Sequence, residues 1–270
     1  MHGVDSPLIS APDLAALLEG DPPTLLDVRY RLGGLPGSVE FARGHIPGAV
    51  YVDLDRDLAA PPDQRGRHPL PDADDFGAAM RAAGVRNDRA VVVYDDWAGR
   101  AAARCRWLLR WAGHPDVRLL DGGWAAWCAA GGDQSQAATH PDPGDFTVDP
   151  GHLPLVAYED VLAMPALVDA RAPQRYSGAQ EPVDPVAGHI PGALNRPTED
   201  NLRDDGTFKS AAELQIVYAG LEDAGVYCGS GVTACHDLLA MEIAGLGGSL
   251  FAPSWSGWIT HPTRPIETGG

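Results

Sequence analysis

Long apolar runs, cysteine and positive charge are all scarce in this 270-residue sequence. No apolar stretch approaches the roughly 20 residues that a membrane-spanning helix needs. The first ten residues, MHGVDSPLIS, have neither a basic head nor an apolar core, so no signal peptide is expected. The four cysteines include no close Cys-x-x-Cys pair, which argues against a disulfide framework and against a zinc site. We therefore expect a soluble, reduced, cytoplasmic protein that needs no metal and no cofactor.

Basic residues are outnumbered, with 20 Lys and Arg against 37 Asp and Glu, and the formal net charge is −17. A field of this sign repels phosphate backbones and anionic lipids, so neither nucleic acid nor a membrane surface is an expected partner. Gly and Pro, 32 and 24 residues, are more frequent than in an average protein but fall short of a disordered composition. This composition predicts many tight loops between packed elements.

An internal repeat organises the sequence, and several short motifs occur twice in the same order. The repeated pieces are LLDVR at 25–29 and LVDAR at 167–171, GHIPGA at 44–49 and 188–193, and the pairs Trp124/Trp127 and Trp255/Trp258. Two copies of one fold explain this pattern. We predict a first domain over residues 1–132, a Pro/Gly-rich linker over 133–153 and a second domain over 154–270.

Within each copy, short apolar strands alternate with helical segments. The predicted strands are 25–28, 90–94, 167–169 and a run that ends at Tyr227, and the predicted helices are 12–18, 75–83, 99–112, 211–219 and 233–244. Strands that alternate with helices predict an α/β fold, in which a parallel sheet is flanked by helices on both faces. Ligand sites of such sheets lie beyond the carboxyl ends of the strands. The segments that follow Tyr94 and Tyr227 are therefore the first places to look for a site.

These two segments differ in their first residue. Asp95 follows Tyr94, whereas Tyr227 is followed by the loop Cys228-Gly229-Ser230-Gly231-Val232-Thr233 and then a helix. A short Gly-containing loop that leads into a helix can turn several N–H groups toward one anion. A cysteine in such a position is favoured as a nucleophilic thiolate. The alternative is a buried structural cysteine, which is what we expect of Cys105, Cys128 and Cys235.

The repeated Asp-x-Arg and GHIPGA motifs, together with the Cys-led loop, resemble the tandem-domain rhodanese family of sulfurtransferases over residues 8–268, approximately. The family implies two rhodanese-like domains, of which the first, with Asp95 in place of the cysteine, is catalytically silent. The CGSGVT loop is most similar to that of 3-mercaptopyruvate sulfurtransferases. Thiosulfate sulfurtransferases usually carry a basic residue after the cysteine, where this chain has Gly229.

The resemblance implies that sulfane sulfur passes from a small-molecule donor, preferably 3-mercaptopyruvate, to an acceptor through a persulfide on Cys228. The acceptor would be cyanide or a thiol, either a thioredoxin-like protein or a low-molecular-weight thiol. Backbone N–H groups of Gly229, Gly231, Val232 and Thr233 would stabilise the thiolate and the persulfide.

The family also implies a substrate-binding arginine at Arg175, whose planar guanidinium suits a carboxylate. Family members often carry a second arginine nine positions later, where this chain has Asp184. Arg196 could replace it, or it could be a solvated surface charge. A Ser-His-Asp relay that protonates the product would consist of Ser230, His68 and Asp55.

Three other functions compete with this interpretation. Thiosulfate:cyanide sulfurtransferase activity and a non-catalytic sulfur-binding or regulatory module both remain open. A phosphatase with a similar Cys-led loop would need an arginine six residues after the cysteine, and position 234 is alanine. His45 and His189 are expected to be structural, because the copy without the cysteine has its histidine too.

Overall fold

The computed structural model describes residues 6–269, which form two compact units. The first unit consists of the chain up to Ala59 together with Pro71–His152 and Asp204–Thr207. The second consists of Ala60–Leu70, Leu153–Arg203 and the chain from Phe208 onward. Ala60–Leu70, which lies within the predicted first domain, thus belongs to the unit that carries Cys228. The expectation that no signal peptide is present was based on residues 1–10, and Met1–Asp5 of that stretch lie outside the described residues.

The first unit contains a sheet of five parallel strands in the order β1-β5-β4-β2-β3. Its strands are β1 Leu8–Ile9, β2 Thr24–Asp27, β3 Val50–Tyr51, β4 Val91–Tyr94 and β5 Val117–Leu120. Its helices are α1 Ala11–Leu18, α2 Gly37–Arg43, α3 Leu54–Asp57, α4 Ala73–Ala82, α5 Arg100–Trp111 and α6 Gly123–Ala129. Every residue of β2 and β4 is buried, as in parallel strands that are covered on both faces.

The second unit repeats this plan with four parallel strands in the order β7-β6-β8-β9. Its strands are β6 Leu167–Asp169, β7 Leu194–Asn195, β8 Ala224–Tyr227 and β9 Gly248–Leu250. Its helices are α7 Pro173–Tyr176, α8 Ala211–Val217, α9 Ala234–Ile243 and α10 Ser254–Trp258, with 3₁₀ turns at Val161–Ala163 and Thr198–Asn201. The predicted α/β fold with two such sheets is confirmed. Within residues 6–269, no helix combines the length and apolarity needed to cross a bilayer.

The repeated motifs perform the same structural task in each unit. Arg29 pairs with Asp27 at 2.7 Å and donates to the carbonyl of Gly44, and Arg171 pairs with Asp169 at 2.6 Å and donates to that of Gly188. Each arginine therefore ties the end of a central strand to the start of a GHIPGA turn. His45 and His189 stack on Phe41 and Tyr176 and bond to backbone carbonyls, which is the structural role expected of them.

The Pro/Gly-rich segment after α6 forms no helix or strand but packs along the first unit. Ser135 forms a bridge with His45, the N–H of Gly144 donates to the carbonyl of Arg81, and Phe146 is buried. These backbone hydrogen bonds hold the extended segment against the first unit at several points.

The N-terminus of α8 carries a capping box. The Ser210 hydroxyl accepts from the N–H of Glu213, and the Glu213 carboxylate accepts from the N–H of Ser210 at 2.8 Å. Ser210→Ala removes the acceptor of one otherwise unpaired helix N–H and should cost about 1 kcal/mol of unfolding free energy. The urea unfolding midpoint of the second unit measures this loss, and an unchanged midpoint would show that the cap contributes nothing.

Candidate active site

The Cys228 loop connects β8 to α9 at the carboxyl end of the sheet, where the alternation of strands and helices places a ligand site. The N–H of Gly231 donates to the Cys228 sulfur at 3.2 Å. Gly231 has φ +78°, and a Cβ at this position would lie 2.5 Å from the carbonyl oxygen of Ala252. Only glycine therefore fits this turn, which brings an amide hydrogen to the sulfur.

The opposite edge of the loop is fixed by α10. The Ser254 hydroxyl accepts from the N–H of Cys228 at 3.1 Å, while Trp255 and Ser256 donate their N–H groups to the carbonyls of Cys228 and Gly229. The backbone of the nucleophile is thus held before any substrate binds. Val232 and Thr233 continue the turn into α9, and their carbonyls accept from Cys235 and His236.

Two of the three relay residues meet within the second unit. The His68 Nδ1 lies 2.8 Å from the Ser230 hydroxyl oxygen, and both side chains are buried. His68 reaches this point because Ala60–Leu70 packs with the second unit. Asp55, the predicted third member, lies in the first turn of α3 in the first unit, and its part in the relay stays a prediction.

Arg175 stands at the loop, held by two carboxylates. Its Nε lies 3.0 Å from both Glu181 oxygens, and its Nη2 donates to Asp184 at 2.8 Å. Burial, which raises the pKa of Glu181, is outweighed by hydrogen bonds from Arg175 and from two backbone N–H groups, so that pKa is lowered. Burial raises the pKa of Asp184, although Arg67 and Arg175 oppose the shift. The Arg175 guanidinium is therefore oriented by residues of its own segment.

Sequence reasoning missed Arg67, the residue before His68. Its Nη1 pairs with the Asp184 carboxylate, and its Nη2 lies 2.9 Å from the position that a Cβ on Gly229 would occupy. The side chains of Arg67 and Arg175 are 26% and 20% exposed, whereas Cys228 is 2% exposed. The only signal for Arg67 in the sequence is its position next to a predicted relay histidine.

The Arg196 guanidinium is held by backbone carbonyls. Its Nε donates to the carbonyl of Val217 at the end of α8, and its Nη1 donates to that of Asn195. These hydrogen bonds give Arg196 a structural role, and its part in substrate binding stays a prediction.

A buried polar network lies at the start of α9. Asn201 donates to Asp237 at 2.8 Å and accepts from the Tyr218 hydroxyl at 2.8 Å. Burial raises the pKa of Asp237 well above its ordinary value, and the negative charge of Cys228 adds to the shift. The hydrogen bond from Asn201 fixes one oxygen of the Asp237 carboxyl group.

The equivalent loop of the first unit surrounds the side chain of Asp95. The Asp95 carboxylate accepts four backbone hydrogen bonds, from Trp97, Gly99, Ala101 and Ala102, at 2.8–2.9 Å. Burial raises the pKa of this carboxyl, and the amide hydrogen bonds oppose the shift. In the first unit the loop therefore directs four backbone N–H groups at the Asp95 side chain, whereas in the second unit the N–H of Gly231 donates to the Cys228 sulfur.

No metal centre accompanies the loop: among residues 6–269, no group of three or more His, Cys, Asp or Glu side chains is arranged to hold an ion. The chemistry of the site is that of a thiol, a hydroxyl–imidazole pair and two guanidinium groups.

Known proteins are similar to this chain in sequence and in structure. Residues 10–130 match the rhodanese-like domain family. The "probable 3-mercaptopyruvate sulfurtransferase" of Pseudomonas aeruginosa is 45% identical, covering 97% of this chain and 98% of the relative. The "putative thiosulfate sulfurtransferase SseB" of Mycobacterium tuberculosis is 43% identical, covering 97% of both chains.

The structure of SseA from Escherichia coli, which is described as a 3-mercaptopyruvate sulfotransferase with the rhodanese fold, superimposes with a TM-score of 0.81 at 31% identity. The match covers 92% of this chain and 98% of SseA. Identity of this extent, over a fold whose two units both carry the repeated motifs, shows that this chain belongs to the rhodanese family and is a sulfurtransferase.

Proposed function

We propose that this sulfurtransferase takes its sulfur from 3-mercaptopyruvate and carries it as a persulfide on Cys228. The choice of donor rests on the hydrogen bond between His68 and Ser230. Ser230 is the second residue after the nucleophile, Cys228. Removing sulfur from mercaptopyruvate leaves a carbanion equivalent that must be protonated, whereas removing sulfur from thiosulfate releases sulfite and needs no such proton. A hydroxyl–imidazole pair is suited to deliver the proton that the mercaptopyruvate reaction needs.

In the first half-reaction, the Cys228 thiolate attacks the thiol sulfur of the donor. An S–S bond forms, the C–S bond breaks, and its electron pair leaves as the enolate of pyruvate. The enolate carbon receives a proton through Ser230 and His68, which gives pyruvate and the Cys228 persulfide. Such a covalent intermediate splits the transfer into two steps and predicts ping-pong kinetics.

In the second half-reaction, the acceptor attacks the outer sulfur and releases the Cys228 thiolate. Cyanide leaves as thiocyanate, and a thiol leaves as its persulfide. We propose a thioredoxin-like protein or a low-molecular-weight thiol as the acceptor in the cell, and a cytoplasmic location where such thiols are reduced. The first unit is proposed to be catalytically silent, because the Asp95 carboxylate occupies its ring of amides.

The charges beside the loop also favour a carboxylate donor. Arg67 and Arg175 are countered by Asp184 and Glu181, so that the four side chains have no net charge when ionised. A small dianion such as thiosulfate gains most from net positive charge, whereas a planar carboxylate can use the directed N–H groups of guanidinium.

Thiosulfate is the second candidate donor, because two guanidinium groups lie 2.9 and 3.4 Å from the position that a Cβ on Gly229 would occupy. This is the position at which thiosulfate enzymes usually carry a basic residue. Steady-state assays with each donor, cyanide being the common acceptor, separate the two. We expect kcat/KM to favour 3-mercaptopyruvate, and a value that favours thiosulfate would overturn the choice of donor.

Ser230→Ala tests the relay apart from the amides of the loop. The variant keeps every backbone N–H group but loses the hydroxyl that bonds to His68. We expect kcat with 3-mercaptopyruvate to fall roughly 100-fold, because protonation by a positioned group contributes about that much. Thiosulfate turnover should be spared, and an equal loss with both donors would show that Ser230 only shapes the loop.

A further inference from the structure

We propose that Ser254 is a positioning residue for the nucleophile, and that its hydroxyl holds the Cys228 backbone in the arrangement that reacts with a sulfur donor. The inference rests on the proposed function, because it takes Cys228 as the residue that forms the persulfide. The role differs from that of Ser230, because the Ser254 hydroxyl acts on the backbone of Cys228 and not on the substrate.

Ser254, the first residue of α10, has a backbone conformation that residues with a side chain rarely adopt. Its φ is +54°, in the left-handed region, where a Cβ crowds the neighbouring carbonyl oxygen. Within residues 6–269, Ala98 and Asp223 are the other non-glycine residues with positive φ. Such conformations persist only where the surrounding structure enforces them, and they cluster at functional sites. The strain at Ser254 therefore calls for a compensating role of its side chain.

The first unit has a glycine at the equivalent position. Gly123 begins α6 with φ +56°, and the N–H of the next residue, Trp124, donates to the carbonyl of Asp95 at 2.8 Å. In the second unit the N–H of Trp255 donates to the carbonyl of Cys228 at 2.9 Å. The two turns have the same backbone arrangement, and glycine adopts it without strain. The turn itself does not need a serine, so the hydroxyl is what the second unit gains.

The Ser254 side chain is fully buried and makes two hydrogen bonds. Its hydroxyl donates to the carbonyl of Phe251 at 3.1 Å, so a lone pair of its oxygen faces the N–H of Cys228, also at 3.1 Å. This bond fixes the peptide group that precedes the Cys228 Cα, and with it the direction of the Cα–Cβ bond. The sulfur then meets the N–H of Gly231 at 3.2 Å.

Loss of the hydroxyl would take this acceptor away from a buried N–H group. The loop could pair that N–H again only by moving, because an unpaired buried donor is unfavourable. A smaller fraction of the molecules would then hold the sulfur in the reactive arrangement, and the reactivity of Cys228 would fall by the same factor.

The test compares Ser254→Gly and Ser254→Ala with wild type. Both variants lack the hydroxyl, but glycine relieves the backbone strain and alanine retains it. The readout is the rate at which iodoacetamide alkylates Cys228, measured by mass spectrometry of the peptide that contains it. We expect both variants to react roughly 10-fold more slowly, in line with leaving one buried N–H group unpaired. Ser254→Gly should nevertheless unfold at a higher temperature than Ser254→Ala.

The rate of persulfide formation is the second readout. In single turnovers with 3-mercaptopyruvate and with thiosulfate, the maximal rate should fall roughly 10-fold with both donors, because both react with the same sulfur. The donor concentration that gives half this rate should stay within about twofold of wild type, since the buried Ser254 side chain is out of reach of the donor. Ser230→Ala, by contrast, should affect mercaptopyruvate alone.

Ser210→Gly is the matched control. It also removes a hydroxyl that accepts from a backbone N–H, that of Glu213 at 3.4 Å, but at the N-terminus of α8. Its Cys228 should be alkylated at the wild-type rate, and equal slowing in this variant would overturn the inference. Wild-type rates in the Ser254 variants would also overturn it, as would a loss that follows thermal stability and is greater for alanine than for glycine. Ser254→Gly decides the matter if Ser254→Ala does not fold.

Failure of the inference and failure of the proposed function give different results. If wild type forms the Cys228 persulfide with mercaptopyruvate and the Ser254 variants are alkylated at the wild-type rate, only the role of Ser254 is wrong. If wild type forms no persulfide with mercaptopyruvate, the proposed donor is wrong. Slower alkylation of Cys228 in both Ser254 variants would then still support the role of Ser254 in holding the nucleophile.

Discussion

Cys228→Ser should abolish sulfur transfer from every donor, with a fall in kcat of at least about 10⁴-fold. Serine keeps the size of the side chain and the backbone of the loop, but its hydroxyl remains protonated near neutral pH and forms no persulfide. The N–H of Gly231 donates to the Cys228 sulfur at 3.2 Å, and such a hydrogen bond stabilises a negatively charged sulfur. Loss of activity is therefore expected without loss of fold.

Mass spectrometry after treatment with 3-mercaptopyruvate provides the direct readout. Wild type should gain about 32 Da, the mass of one sulfur atom, and Cys228→Ser should gain nothing. Cys128→Ser is the control, since Cys128 is a partly exposed thiol in α6 of the first unit. A persulfide on the Cys228→Ser variant, or its absence from wild type, would refute the assignment of the nucleophile.

Asp95→Ala should destabilise the first unit by about 4 kcal/mol or more, because each buried polar group left without a partner costs about 1–3 kcal/mol. Four backbone N–H groups depend on this one carboxylate, and the side chain is wholly buried. Asp95→Asn should also destabilise the unit, because its amide nitrogen would face N–H groups that need an acceptor. Five of the seven tryptophans lie in this unit, so urea unfolding can be followed by their fluorescence.

The neighbouring aspartate is the matched control. Asp96 pairs with Arg31 at 3.3 Å, and that arginine is 58% exposed, so Asp96→Ala should cost less than about 1 kcal/mol. A loss below about 1 kcal/mol for Asp95→Ala itself would mean that water or a loop movement satisfies the amides, and the explanation of its burial would be wrong.

Local features of the fold were predictable because they depend on residues that are close in the chain. The prediction of a helix over 12–18 is confirmed by α1, whose N-cap is Ser10, and β6 has the predicted bounds Leu167–Asp169. Short elements were missed. The helix α2 begins at a glycine and has few buried residues, so neither propensity nor apolar periodicity marks it.

The same distinction between local and distant residues applies to the candidate site. The Cys228 loop and Arg175 could be found in the sequence because the loop, the strand before it and the repeated motifs are contiguous. The position of Arg67 could not, because it depends on Ala60–Leu70 packing with the second unit and on Asp184 as a partner shared with Arg175. For Arg196 the sequence left two roles open, and in the structure its Nε donates to the carbonyl of Val217 at the end of α8.

The sequence by itself determined that this chain repeats one α/β fold and that only the second copy has a cysteine at the end of its central strand. These properties follow from the order of apolar runs, turns and motifs along the chain. Only the tertiary structure decided which side chains surround the sulfur and what occupies the equivalent place in the first unit. Charge and hydrogen bonding act over a few ångströms, so they depend on which distant segments meet.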